Sequence, residues 1–135
     1  MILLDTVVLS ELRKRTPSPN VTNWLRGCNE RELYLSVVSL GEIERGIGRV
    51  ADTTFALSLS HWLEELLRLY GDRVLPVTAP IARRWGRLSA ELGHEGADLL
   101  IAATALCHGL SVASRNVRHF RPTGVAVVNP FDAAG

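Results

Sequence analysis

The chain has 135 residues, of which 47% are apolar and 21% charged, with a formal net charge of +1. That length suits one domain able to bury most of its apolar surface without disulfides, and the composition excludes a disordered or fibrous chain. A net charge this small says little about partners.

Lys14 is the only lysine among the basic residues, and the rest are arginine. Arginine forks suit phosphate and carboxylate partners, although arginine-rich surfaces also arise from drift in composition. Cys28 and Cys107 are spaced for neither a zinc site nor a redox pair. They are expected to be reduced thiols packed as small hydrophobes, which agrees with a reducing cytoplasm. The opening Met1-Ile2-Leu3-Leu4-Asp5 lacks the basic region of a signal peptide. The longest apolar run, Leu99 to Cys107, is too short to cross a bilayer. A soluble, cytoplasmic protein with no membrane partner is expected.

Met1–Leu4 predicts a short buried strand that ends at Asp5. Thr6–Lys14 predicts a helix with Val8, Leu9 and Leu12 on one face, broken by Pro17 and Pro19. Asn20–Cys28 predicts a second helix, with Asn20 as its cap. Leu33–Val38 is strand-like, and Ser39 opens a third helix to about Val50. Thr54–Tyr70 is the longest helical stretch, its apolar side marked by Leu59, Trp62, Leu63, Leu66 and Leu67. Arg73–Val77 is a strand candidate. Thr78 caps a further helix that carries Pro80 in its first turn and runs to about Leu92. After a break at Gly93–Gly96, Ala97–His108 is a nearly all-apolar helix that must lie centrally, stopped by Gly109. Ser111–Ser114 and Val125–Val128 are the last two strands. Short apolar strands alternating with helices predict one α/β domain over residues 1–135, a mainly parallel sheet flanked by helices.

Three acids take significant places on this map. Asp5 ends the first strand, Glu42 falls in the first turn of the third helix, and Asp98 starts the buried helix. In an open parallel sheet the carboxyl ends of the strands share one edge, so these residues can meet in one cleft. Two unit charges about 4 Å apart repel by roughly 4 kcal/mol at an effective dielectric near 20. A cation relieves that repulsion, and an all-oxygen set suits Mg²⁺ or Mn²⁺. Metal-assisted phosphodiester hydrolysis is the chemistry that follows. Capping competes with this reading. Ser39-Leu40-Gly41-Glu42 has the form of a capping box, and Asp98 suits a helix dipole. Spacing alone leaves both open for these two residues. Asp5 is harder to explain by capping, because burial makes a bare carboxylate costly.

Other chemistries fit less well. His61, His94, His108 and His119 show no metal-ligand spacing and read as surface or helix-end residues. No phosphate-binding glycine loop occurs, and neither Ser39 nor Ser114 has a recognisable base.

Several segments together resemble the PIN-domain toxins of the VapC-like family, in particular the FitB-like branch. They are Met1-Ile2-Leu3-Leu4-Asp5-Thr6, the Ser36–Gly46 stretch with Glu42-Ile43-Glu44-Arg45, Asp98-Leu99-Leu100-Ile101-Ala102-Ala103, Ser114-Arg115-Asn116-Val117-Arg118-His119-Phe120, and Val128-Asn129-Pro130-Phe131. The resemblance implies a three-layer PIN-like fold with catalytic residues Asp5, Glu42, Asp98 and Asn116. Asp5, Asp98 and Glu42 would bind Mg²⁺, with Mn²⁺ able to substitute. Thr6, Ser39 and Ser114 would support the site, and Arg115 and Arg118 would face RNA. It further implies an endoribonuclease that uses metal-activated water, as the toxin of a type II toxin–antitoxin pair. The partners implied are a small antitoxin, an RNA substrate, a second copy of the chain, and operator DNA reached only through the antitoxin. Two departures favour an alternative, a catalytically weak nucleic-acid-binding or regulatory module. Val7 stands where the family often has asparagine, and His119 stands where an acid is common, beside the non-acidic Asn116. A flap-type DNA nuclease shares the acids, but 135 residues leave no room for its usual DNA-binding additions.

Overall fold

The structure is a computed structural model that describes residues 1–132. In chain order the elements are β1 (Ile2–Leu4), α1 (Thr6–Leu12), α2 (Pro19–Arg26), β2 (Leu33–Ser36), α3 (Val37–Gly48) and α4 (Thr53–Tyr70). Then follow β3 (Val74–Leu75), α5 (Ala79–Leu92), α6 (Ala97–His108), β4 (Ser111–Ala113), α7 (Val117–Phe120) and β5 (Val127–Val128). Single 3-10 turns occupy Glu30–Glu32, Gly71–Arg73 and Arg121–Thr123.

The five strands form a sheet in the order β3-β2-β1-β4-β5. Every pairing is parallel, with Leu3 opposite both Tyr34 and Val112, and Leu4 opposite Ala113. Successive strand side chains point to opposite faces, so Leu3 and Leu4 serve two different cores. Leu4, Leu33, Leu35 and Ala113 pack with Val8, Val21, Ile43 and Leu63 of α1–α4. Leu3 and Val112 pack instead with Ile101, Ala102 and Ala105 of α6 and Phe120 of α7. Ala103 on the outer side of α6 meets Ile81 and Leu88 of α5. The α/β architecture expected from the sequence is therefore present, with helices on both faces of the sheet.

The composition of α6 follows from this position. Leu99, Ile101, Ala102, Ala103, Thr104 and Ala105 are all buried. Its alanines let the helix approach both the sheet and α5, and the Thr104 hydroxyl is satisfied by the Leu100 carbonyl at 2.8 Å. The helix stops at Gly109, whose φ of 68° is left-handed.

Several boundaries differ from the sequence reading. The cap of α3 is Ser36, whose hydroxyl accepts from Val38 N at 3.0 Å. Ser39 is therefore inside the helix, and the Ser39–Glu42 capping box does not form. Asn20 does not cap α2. Ser18 holds that position with Pro19 next to it, and the Asn20 amide donates to the Phe131 carbonyl at 2.8 Å. The third and fifth strands shrink to two residues each, as edge strands paired on one side only. Helix α7 was not anticipated, because four residues carry no readable period. Cys28 is half-buried and donates to the Trp24 carbonyl, whereas Cys107 is exposed instead of packed. Among the described residues, no helix is long and apolar enough to cross a membrane.

Candidate active site

The carboxyl edge of the sheet gathers the residues singled out above. Asp5 follows β1 directly, and its backbone N–H donates to the Ala113 carbonyl at 3.0 Å. This bond continues the β1–β4 pairing past the end of the strand and fixes where the carboxylate emerges. Asp5 is only 2% exposed. One oxygen, Oδ1, accepts from Thr6 N at 2.8 Å. The other, Oδ2, accepts from the hydroxyl of buried Ser114 at 2.7 Å. Ser114 Oγ in turn accepts from Asn116 N at 2.9 Å. The hydroxyl thus ties β4, the turn into α7 and Asp5 into one unit.

Glu42 sits in the second turn of α3, where its Oε1 accepts from the Thr6 hydroxyl at 2.6 Å. Thr6 Oγ1 also lies 2.8 Å from the hydroxyl of buried Ser39. One hydroxyl carries one proton, so the consistent arrangement has Ser39 donating to Thr6 and Thr6 donating to Glu42. The chain Ser39–Thr6–Glu42 joins α3 to the residue after Asp5. Capping no longer accounts for Glu42.

Asp98, in the first turn of α6, is half-buried. Its Oδ2 lies 2.8 Å from His119 Nδ1. This pairing fixes the tautomer, since a carboxylate needs Nδ1 to carry the proton. His119 is exposed, as the sequence reading expects, and its contact with Asp98 is what that reading lacks. Its one signal was its position, three residues after Asn116, where the resemblance expects an acid. Asn116 itself contributes only its backbone N–H to the network. Arg118 lines a cavity of about 620 Å³ together with Glu42, Asp98, His94 and His119. Arg115 does not line that cavity; its guanidinium lies 3.9 Å from the centre of the Phe131 ring.

Burial pushes the Asp5 carboxyl up to about 6, against an ordinary value of 3.8. The Ser114 and Thr6 hydrogen bonds pull it down, and the charges of Asp98 and Glu42 raise it further. A buried carboxyl that feels two neighbouring acids is what a divalent cation would relieve. The donors are carboxylate oxygens, which suits Mg²⁺ or Mn²⁺ better than a thiolate- or imidazole-seeking ion. The acids are not drawn into a closed cage. Among the described residues, no group of three His, Cys, Asp or Glu side chains is close enough to hold an ion as it stands. Each acid instead leans on its own donor: Ser114, Thr6 or His119. Mutual repulsion among uncompensated carboxylates is reason enough for that spread.

The Ser114 hydroxyl supports both Asp5 and the α7 turn, so its removal is informative. Ser114→Ala leaves Asn116 N and Asp5 Oδ2 without their partner in a buried place. We expect a loss of about 1–3 kcal/mol in urea unfolding and a 10–100-fold weaker cation affinity by titration calorimetry. Unchanged values for both would show that the hydroxyl is a bystander.

A strand-end aspartate on a parallel sheet has acids from α3 and α6 beside it, and the PIN domain description matches residues 2–124 of the chain. The chain belongs to the PIN-domain family. This PIN domain is 34% identical over 140 residues to VapC ribonuclease Y4jK of Sinorhizobium fredii, covering 99% of the chain and all of the relative. It is 34% identical over 137 residues to Toxin FitB of Neisseria gonorrhoeae, covering 97% of the chain and 99% of that toxin. A solved structure of FitAB bound to an IR36 DNA fragment contains a chain that superposes with a TM-score of 0.89 at 33% identity. That match spans all of this chain and 99% of the other. The resemblance read from the sequence, to VapC-like and FitB-like PIN-domain toxins, is met.

Proposed function

We propose that this PIN domain, taken as one unit over the whole chain, is a divalent-cation-dependent endoribonuclease that acts as the toxin of a toxin–antitoxin pair. The observation that carries the reading is the buried Asp5 carboxyl, raised by its burial and by the charges of Asp98 and Glu42. A group held at such electrostatic disadvantage is costly unless the site has a use for it. Mg²⁺ is the cation proposed, with Mn²⁺ able to replace it, held by Asp5, Asp98 and, directly or through water, Glu42. When bound, such a cation supplies Lewis acidity, offsetting charge on a phosphoryl oxygen and lowering the pKa of water.

The side chains around the acids orient them. Ser114 and Thr6 N hold the two oxygens of Asp5 in a fixed plane. Thr6 holds Glu42, and His119 holds Asp98. Arg118 lines the same cavity, which supports a role for it in meeting a phosphate. Asn116, which lines the neighbouring groove and not the acidic cavity, is proposed to act on the substrate or its water. The relatives' names support the wider reading: one is called a ribonuclease, another a toxin, and a FitAB structure contains DNA. We infer for this chain a small antitoxin partner, operator DNA reached only through that antitoxin, a homodimer, and a cytoplasmic setting.

The test is cleavage of a labelled single-stranded RNA by the purified chain. Cleavage is expected with Mg²⁺ or Mn²⁺ at millimolar concentration and not with excess chelator. Cation-independent cleavage that copurifies with the chain and survives Asp98→Asn would sink the assignment. A second reading, a weak nucleic-acid-binding module that acts with its antitoxin, is favoured by one contact: His119 occupies an oxygen of Asp98. Calorimetry separates the two, since the absence of heat on adding millimolar Mg²⁺ or Mn²⁺ selects the second.

A further inference from the structure

We propose that a groove beside the acidic cavity seats the phosphates of a polynucleotide strand, so that bound RNA runs from the acids toward α7 and the turn after it. This rests on the nuclease reading above and gives the substrate a direction. The groove has a volume of about 440 Å³ and is lined by Arg115, Asn116, Arg118, Arg121 and Asn129, among others. It shares Arg118 and His119 with the acidic cavity, so the two adjoin.

The charge of this groove is not internally neutralised. Arg115, Arg118 and Arg121 are all exposed. Among the described residues none of the three forms an ion pair with a carboxylate. Glu11 feels the charge of Arg115, but its carboxylate is already held by Lys14 and by Ser18 N. Asp132 is the one acid on the groove wall, and it faces the Asn129 amide at 3.4 Å. Three guanidiniums against one carboxylate make an anion seat. Their planar forks match phosphate oxygens in pairs.

The seat is also braced. Arg115 stacks on Phe131, and Phe120, which closes α7 between Arg118 and Arg121, is completely buried. The opposite flank of the acidic site has a different character. There a smaller cavity of about 170 Å³ is walled by Ile43, Ile47, Val50, Phe55, Leu59 and Trp62. Its one arginine, Arg13, leans over the Phe55 ring at 5.9 Å. Three arginines thus line the groove on the α7 side, against one in the apolar cavity. An acidic peptide could pair with the same arginines. Three forks on one groove that adjoins an acidic cleft favour a polyphosphate strand, whose charges repeat at every nucleotide.

The experiment is fluorescence anisotropy with a labelled 12-nucleotide single-stranded RNA and the full chain in excess chelator, which suppresses cleavage. Arg118→Gln and Arg121→Gln are each expected to weaken binding on the order of fivefold at ~0.1 M salt. Each should also lower the slope of log affinity against log salt by about 0.7. The triple Gln variant should lose about 2 from the slope. Arg31→Gln, in the 3-10 turn before β2 at the amino edge of the sheet, should bind like the wild type. The same losses with DNA of equal sequence support the seat, because its ligand is the phosphodiester backbone. Unchanged slope and affinity in the triple variant overturn it, as does wild-type protein that fails to bind RNA. Arginine-dependent binding of a polyglutamate peptide without arginine-dependent binding of RNA overturns it too, in favour of a protein partner. The nuclease reading fails separately: a wild type that binds RNA through these arginines yet never cleaves it keeps the groove and loses the enzyme.

Discussion

Asp5→Asn is expected to abolish RNA cleavage and, in the metal-free protein at neutral pH, to raise the melting temperature. The folded carboxyl titrates near 6, and an ordinary one near 3.8. A carboxyl raised by folding binds its proton more tightly in the native state. Its ionisation therefore opposes folding, by nothing below pH 4 and increasingly between pH 4 and 6. Above pH 6 the whole penalty is present, about 3 kcal/mol at most from the difference between those two values. Asparagine removes the charge and keeps an oxygen for Thr6 N. Its amide must turn the Ser114 hydroxyl around, which offsets part of the gain. A net rise of about 1–2 kcal/mol, a few degrees in Tm, is expected at pH 7.5. Near pH 5 the two proteins should converge. Cleavage should fall on the order of 10³-fold, the scale of losing several kcal/mol of electrostatic assistance at a phosphate. Thermal melts in chelator at both pH values, with cleavage assays at pH 7.5, check both halves. A variant that melts lower than the wild type at pH 7.5 would contradict the electrostatic account of Asp5.

Phe120→Ala is expected to be the most damaging single change outside the acids. Phe120 is fully buried beneath the sheet, against Ile101, Val112 and their neighbours. Truncating a buried phenylalanine costs about 3–5 kcal/mol, from lost transfer energy plus the cavity left behind. Helix α7 is one turn long and lacks a side-chain cap, so this ring is its anchor. His119 and Arg118 lie on the same turn and should drift from Asp98 and the cavity rim. Urea unfolding should show the loss in stability. Nitrogen chemical shifts of the His119 ring should show its release from Asp98. Phe120→Leu fills most of the space and should cost under about 2 kcal/mol with the His119 signal retained. A loss below about 1 kcal/mol for the alanine variant would refute the anchoring role.

The long elements were legible because their chemistry is local. Helix α6 was read to its last residue from an unbroken apolar run and a closing glycine. Helix α5 was read from its threonine cap and early proline. The two-residue strands β3 and β5 were overextended, because an apolar run marks burial and not the few residues that pair. Serine posed the subtler problem. Ser36 and Ser39 both suit a cap, and only the parallel pairing of β2 with β1 and β3 decides that the strand ends at the first. That difference of three residues turned Glu42 from a cap into a partner of Thr6. Asp5 stood out in the sequence because a buried strand rarely ends on an acid. His119 did not, since its meeting with Asp98 spans 21 positions and depends on how α7 packs.

β1 lies at the centre of the sheet, yet one of its two neighbours, β4, begins at residue 111. A parallel neighbour of that kind can dock only after long intervening crossovers have formed. During synthesis, Asp5 leaves the ribosome 109 residues ahead of Ser114 and must wait for it before it acquires its fixed orientation. A nascent chain therefore carries the acids before their alignment, and the order of translation keeps them unassembled until β4 and the turn after it have been made.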